Sequence, residues 1–120
     1  MRCPKCVEPR ELAAIVVDGV EVDRCPKCEG IWFDKSELGH LLDSQEEVVQ
    51  PLMDGDDEGD KDRVLGACPR DGSKMLRVLS ARNNEVVIDS CVACKGIWLD
   101  GGEFRRIKEA QPDIRLRELV

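Results

Sequence analysis

Cys25-Pro26-Lys27-Cys28-Glu29-Gly30-Ile31-Trp32-Phe33-Asp34-Lys35-Ser36-Glu37-Leu38 returns 66 residues later as Cys91-Val92-Ala93-Cys94-Lys95-Gly96-Ile97-Trp98-Leu99-Asp100-Gly101-Gly102-Glu103-Phe104. A shorter match precedes each copy: Cys3-Pro4-Lys5-Cys6 and Cys68-Pro69-Arg70-Asp71, offset by 65. The chain is therefore an internal repeat of two modules of roughly 40 residues each. The change of offset means that one residue has been gained between the cysteine pairs of the second copy.

A β-hairpin is predicted between the pairs. Leu12 to Val17 is β-prone, Asp18-Gly19 is a two-residue turn signal, and Val20 to Asp23 alternates with period two. The second copy offers Met75 to Ala81 and Val86 to Asp89 as strands. Asn83-Asn84 stands at their turn, where the extra residue fits best, because asparagine tolerates the left-handed backbone.

A helix is predicted after each second pair. Asp34 with Glu37, and Asp100 with Glu103, have capping-box spacing, with Asp in place of Ser or Thr. Leu38, Leu41, Leu42, Val48, Val49 and Leu52 then recur at helical spacing, so the first helix should run to about Pro51. The second carries Phe104 and Ile107 and should stop at Pro112.

The chain has 120 residues, a net charge of −7 and four aromatic rings. That length holds one small domain or two very small ones, and no deep substrate cleft is expected. No apolar run approaches the roughly 20 residues of a membrane helix. Residues 1–42 carry a net charge of −2, residues 43–66 of −7 and residues 67–120 of +2. The middle segment includes Asp54-Gly55-Asp56-Asp57-Glu58-Gly59-Asp60, too polar and self-repelling to pack. The expected organisation is a first module with its helix at 1–53, an acidic linker at 54–64 and a second module with its helix and tail at 65–120. An acidic docking segment is the functional alternative for the linker.

Seven cysteines is an odd number, which a closed disulfide framework would not leave. The N-terminal residues show no secretory signal, so a reducing cytoplasm is the expected compartment. There, clustered cysteines bind metal or do redox chemistry. Cys3, Cys6, Cys25 and Cys28 form C-x2-C, 18 intervening residues, then C-x2-C, the spacing of a four-thiolate zinc site. Each pair places two sulfurs on one side of a tight knuckle, and the hairpin brings the knuckles together. Pro4 and Pro26 stiffen the turns. Gly30 and Gly96 are read as supplying the backbone freedom to leave them. A module this small cannot bury enough apolar surface to fold alone, whereas structural zinc contributes about 10 kcal/mol or more. The metal is therefore assigned a folding role, with no coordination position left open in module one. Iron also suits four sulfurs. A dithiol redox role for Cys3-Pro4-Lys5-Cys6 is disfavoured, since no strand precedes Cys3 to set the pair at a helix N-terminus.

In module two Asp71 stands at the fourth ligand position beside Cys68, Cys91 and Cys94. Its carboxylate can ligate zinc through oxygen; the alternative is a degenerate site of buried or exposed thiols. His40, the only histidine, is a third option if the modules pack face to face, but it aligns with Arg106 and reads as a surface residue. Trp32 and Trp98 read first as core, covering the hairpin beside the thiolates, and second as exposed anchors for a partner.

The pattern CPxC…CxxCxGIWxDxxEL, over residues 3–42 and 68–107, resembles a bacterial zinc-finger family named for its likeness to the zinc ribbon of transcription factor IIB. The resemblance implies a zinc ribbon followed by a short helix. It also implies zinc binding by Cys3, Cys6, Cys25, Cys28, Cys68, Cys91 and Cys94. Asp71 departs from the pattern, which expects cysteine there. The expected fold is thus a small metal-stabilised α+β protein of two tandem zinc ribbons holding two Zn2+. Its expected function is to present a rigid surface to a protein partner, with transcription regulation as a setting. Direct nucleic-acid binding is the alternative, opposed by the acidic balance, although Arg105, Arg106, Lys108, Arg115 and Arg117 gather near the C-terminal end. No constellation for enzyme chemistry is present.

Overall fold

A computed structural model describes residues 1–6, 8, 10–53, 55, 66–80 and 86–109. The acidic linker, except for Gly55, lies outside these residues. So do the Asn83-Asn84 turn and the C-terminal tail with Pro112, Arg115 and Arg117.

Module one forms a hairpin of β1 (Ala13–Val17) and β2 (Val20–Arg24), with Val17 opposite Val20. Asp18 and Gly19 both take positive φ, 51° and 74°, as a tight two-residue turn requires. The GIW stretch adds a third strand, β3 (Ile31–Phe33), antiparallel to β2. Module two repeats this with β4 (Met75–Leu79), β5 (Val87–Cys91) and β6 (Ile97–Leu99). The two halves are not separate sheets. β3 pairs antiparallel with β6, giving one six-stranded sheet of order β1-β2-β3-β6-β5-β4. Ile31 faces Leu99, Trp32 faces Trp98 and Phe33 faces Ile97, so the repeat closes on itself about a local twofold axis.

Strand register relocates the length difference between the copies. Leu12 precedes the register partner of Arg24 just as Met75 faces Cys91, so the hairpin start is offset by only 63 residues. Ser80 N–H donates to Val86 O, and by register these positions match Val17 and Val20, so five residues of sequence separate them where two do in module one. The single gained residue is therefore two lost near the first knuckle and three gained at the turn. A fixed offset in the sequence records only their sum.

Side-chain alternation makes the sheet two-faced. Ile31, Phe33, Val22, Ile88 and Leu99 point to one face, where α1 (Glu37–Asp43), α2 (Gln50–Met53) and α3 (Glu103–Glu109) cover them. Leu38, Leu41, Leu42, Val49, Leu52, Phe104 and Ile107 complete that core, and Phe33 stacks on Phe104 with ring centroids 6.0 Å apart. Trp32, Trp98, Met75 and the cysteines form a second core on the other face.

The expected long first helix is broken. α1 ends at Asp43, and the Ser44 hydroxyl donates to His40 O and Asp18 Oδ2. Pro51 opens α2 rather than ending the helix, a place where its missing N–H costs nothing. Lys108 of α3 donates to the terminal carbonyls Leu42 O, at 2.9 Å, and Ser44 O, so module two caps the first helix of module one.

The glycines after the knuckles have a different role from the one expected. Neither Gly30 nor Gly96 has positive φ; the left-handed residues are Glu29 and Lys95, at 65° and 67°. A methyl group on Gly30 would fall within 3.0 Å of three Trp98 ring carbons, and one on Gly96 equally close to Trp32. Each glycine is the floor for the other module's indole. Gly30→Ala should therefore destabilise the zinc-loaded protein by about 1–3 kcal/mol through overpacking. Gly39→Ala, in α1 with nothing within 4 Å of the new methyl, should stabilise it by roughly 0.4–1 kcal/mol. Urea unfolding of the two variants checks the contrast; equal effects would remove the indole as the cause.

Candidate metal centres

Each knuckle is a local backbone device. Cys25 N–H donates to Gly30 O and Glu29 N–H to Cys25 O, and Cys91 with Gly96 and Lys95 does the same. The amides of Cys28 and Cys94 point at Cys25 Sγ and Cys91 Sγ, at 3.4 and 3.5 Å. The first knuckles are pinned by Cys3 N–H to Arg10 O and Cys68 N–H to Ser73 O, flanked by the bridges Arg2–Glu11 and Ala67–Lys74. Backbone amides aimed at sulfur favour thiolate over thiol.

The sheet brings the predicted ligands together in two groups. Cys3, Cys6, Cys25 and Cys28 form one, and Cys68, Asp71, Cys91 and Cys94 the other, with donor atoms inside each group within 4.8 Å of one another. The spacing is that of a coordination shell. Cys3–Cys28, Cys6–Cys25 and Cys68–Cys94 have Sγ···Sγ distances of 3.6 Å. A disulfide would require about 2.05 Å, whereas sulfurs 2.3 Å from a tetrahedral zinc are roughly 3.8 Å apart. Asp71 completes the second group, its carboxylate oxygens 3.6 and 3.7 Å from Cys91 Sγ. These residues fit two Zn2+.

Without a cation Cys6, Cys28 and Cys68 resist ionisation, whereas at Cys91 burial is outweighed by the Cys94 amide and neighbouring hydrogen bonds, and the thiol is lowered. A hydrogen bond with Cys3, then burial, raises Cys28. Burial raises Cys6 and pushes Cys68 up to about 12. A bound dication supplies the missing counter-charge, and its binding displaces these protons. Asp71 differs from the cysteines in being exposed; its Oδ1 also accepts Ser73 N–H at 2.8 Å. His40 joins neither group; its Nε2 lies 3.2 Å from Asp18 Oδ2 at the hairpin tip.

Around the clusters lies a set of charges that sequence reasoning missed. Asp34 and Asp100 were expected to cap helices with their carboxylates. Their Oδ1 atoms accept the indole N–H of Trp32 and Trp98, at 3.1 and 2.9 Å. The return half of the capping box forms, with Glu37 and Glu103 accepting from the Asp34 and Asp100 amides at 2.7 and 2.6 Å. The basic residue of each first knuckle crosses to the other module. Lys5, 1% exposed, sets its Nζ 2.8 Å from Asp89 Oδ2 and 3.5 Å from Asp100 Oδ2. Arg70 grips Asp34 with two bonds of 2.7 and 2.6 Å. The available signal was positional: Lys5 and Arg70 occupy the same step of the repeat. Both tryptophans are fully buried, in keeping with the core reading.

Two zinc-ribbon units thus define the class of protein. The transcription factor zinc-finger family, of the transcription factor IIB zinc-ribbon type, matches residues 2–44 and again 67–110, and the chain belongs to it. Comparisons with curated proteins and with solved structures give no match.

Chelation should erase the near-ultraviolet circular dichroism of the two buried indoles, and zinc should restore it, because a metal-free module lacks the core to fold. Metal analysis should count two zincs per chain, and Asp71→Ala should weaken retention. One zinc in the wild type, unchanged in Asp71→Ala, would leave the second cluster without a metal.

Proposed function

We propose that the chain is a structural zinc protein whose fused ribbons present a rigid surface to a protein partner. Cys3, Cys6, Cys25 and Cys28 hold one zinc; Cys68, Asp71, Cys91 and Cys94 hold the other. Four protein donors fill each tetrahedron, so the metals support the fold and catalyse nothing. Ribbons 1–53 and 65–120, joined by the 54–64 linker, act as one body. Thiols kept free for metal suit the cytoplasm.

Exposed apolar side chains on the sheet edge carry the partner reading. On β4, Leu76 is 52% exposed on the same face as the exposed Val78, Leu79 is 61% exposed on the opposite face, and Val16 on β1 is 72% exposed. β1 and β4 are the two sheet edges, whose unpaired backbone groups accept a further strand or apolar surface. The family's description supports the transcription machinery as the setting.

Direct nucleic-acid binding is less well supported. All four aromatic rings are buried, leaving none to stack on bases. Lys5, Arg24, Arg70 and Lys108 all bond to other groups of the same chain. With its thiolates and two zincs the chain carries about −10, from the formal −7.

The test has two arms. Salt-titrated binding to single- and double-stranded nucleic acid should show no affinity near roughly 1 μM that collapses with salt. Affinity capture with the zinc-loaded chain should retain a protein that the Leu76→Asp, Leu79→Asp double variant loses while keeping both zincs. Tight, salt-sensitive nucleic-acid binding would reverse the order of the two readings.

A further inference from the structure

We infer that the two metal sites are coupled through the contacts that cross between the modules, so that zinc is held or lost at both together. This rests on the zinc reading above.

Every knuckle carries, or supports, a group that belongs to the other site. The Cys3–Cys6 knuckle holds Lys5, whose ammonium sits between Asp89, two residues before Cys91, and Asp100, the acceptor for Trp98. The Cys68–Asp71 knuckle holds Arg70, clamped on Asp34, the acceptor for Trp32. The Cys25–Cys28 knuckle closes through Gly30 O, and Gly30 is the floor under Trp98. The Cys91–Cys94 knuckle closes through Gly96 O, the floor under Trp32. Gly66, leading into the second module, lies against the Pro4 backbone of the first knuckle. β3–β6 pairing joins the two halves between these contacts.

Loss of metal at one site therefore cannot stay local. Once Cys3 and Cys6 are released, Lys5 is no longer held in place, and Asp89 and Asp100, both buried, lose its ammonium. Once Cys25 and Cys28 are released, Gly30 moves and the Trp98 indole loses its seat in the core that also holds Cys91. The reverse path runs through Arg70 and Trp32. By linkage, each zinc strengthens the binding of the other by the same factor. Asp71, an exposed oxygen donor where the other seven are sulfurs, makes the second site the weaker of the two. It sets the zinc level at which both sites let go and the docking surface is lost.

The experiment is a graded chelator titration of the full zinc-loaded chain, with thiol alkylation at each step and peptide mapping to identify the cysteines released. In the wild type all seven cysteines should become reactive over one chelator range. Arg70→Gln and Lys5→Met keep all eight ligands. Each should split the release into two ranges, separated by roughly tenfold in chelator. Asp71→Cys should protect Cys3, Cys6, Cys25 and Cys28 as well as the cysteines of its own site. If the buried Lys5→Met change prevents folding, Arg70→Gln and Asp71→Cys decide. Coupling is overturned if the wild type releases its sites in two separate ranges, or if Asp71→Cys leaves the first four cysteines unchanged. A chain that binds no zinc would refute the metal reading itself, a result distinct from two zincs lost independently.

Discussion

The pairing of Ile31–Phe33 with Ile97–Leu99 is the constraint on which the rest of the structure depends. Three residues make a weak strand, and a small ribbon alone buries little. Edge to edge, the two strands turn two marginal sheets into one of six strands and remove two exposed edges. Their alternation sends Ile31, Phe33 and Leu99 to the helix face and both tryptophans to the metal face. Both cores are thus shared across the same seam, and neither is complete within one module.

Charge follows the same seam. Asp34 and Asp100 each serve an indole of their own module and a cation from the other. The arrangement is twofold in pattern but unequal in burial. Lys5 is enclosed, whereas the Arg70 side chain is 48% exposed. Burial raises Asp89, while Lys5 beside it pulls the other way. Breaking a buried ion pair from one side is far costlier than replacing both partners. Such a pair therefore specifies how the modules meet more than it adds to stability.

The metals act where the hydrophobic effect is weakest. On the helix face, Leu, Val, Ile and Phe side chains build a core of ordinary kind. On the other face, among the described residues, two indoles, a methionine and the partly buried Leu12 accompany the cysteines. A zinc there replaces the apolar mass that a module this short cannot supply. The family match covers both modules, in keeping with a site built twice from the same local parts.

Much of this was legible in the sequence because it is local or periodic. The C-x2-C spacing places two sulfurs on one knuckle whatever the surroundings, and Asp18-Gly19 enforces a hairpin through backbone sterics alone. The positional equivalence of Asp71 to a cysteine was likewise visible, and the structure groups it with the three sulfurs. The break after Asp43 was not, since Val49 and Leu52 keep a helical spacing across it. A three-residue strand has no period to detect, so the seam was invisible. With it went the true reason for Gly30 and Gly96, which is space for an indole from the other module. The destination of Lys5, 95 residues away in Asp100, was hidden for the same reason. The sequence by itself determined the knuckles, the hairpins and the candidate ligands, because each knuckle and hairpin is decided by neighbours along the chain. Only the tertiary structure decided that the two ribbons form one sheet, because that depends on two short edges meeting in space, where the indoles and charges find partners no local pattern names.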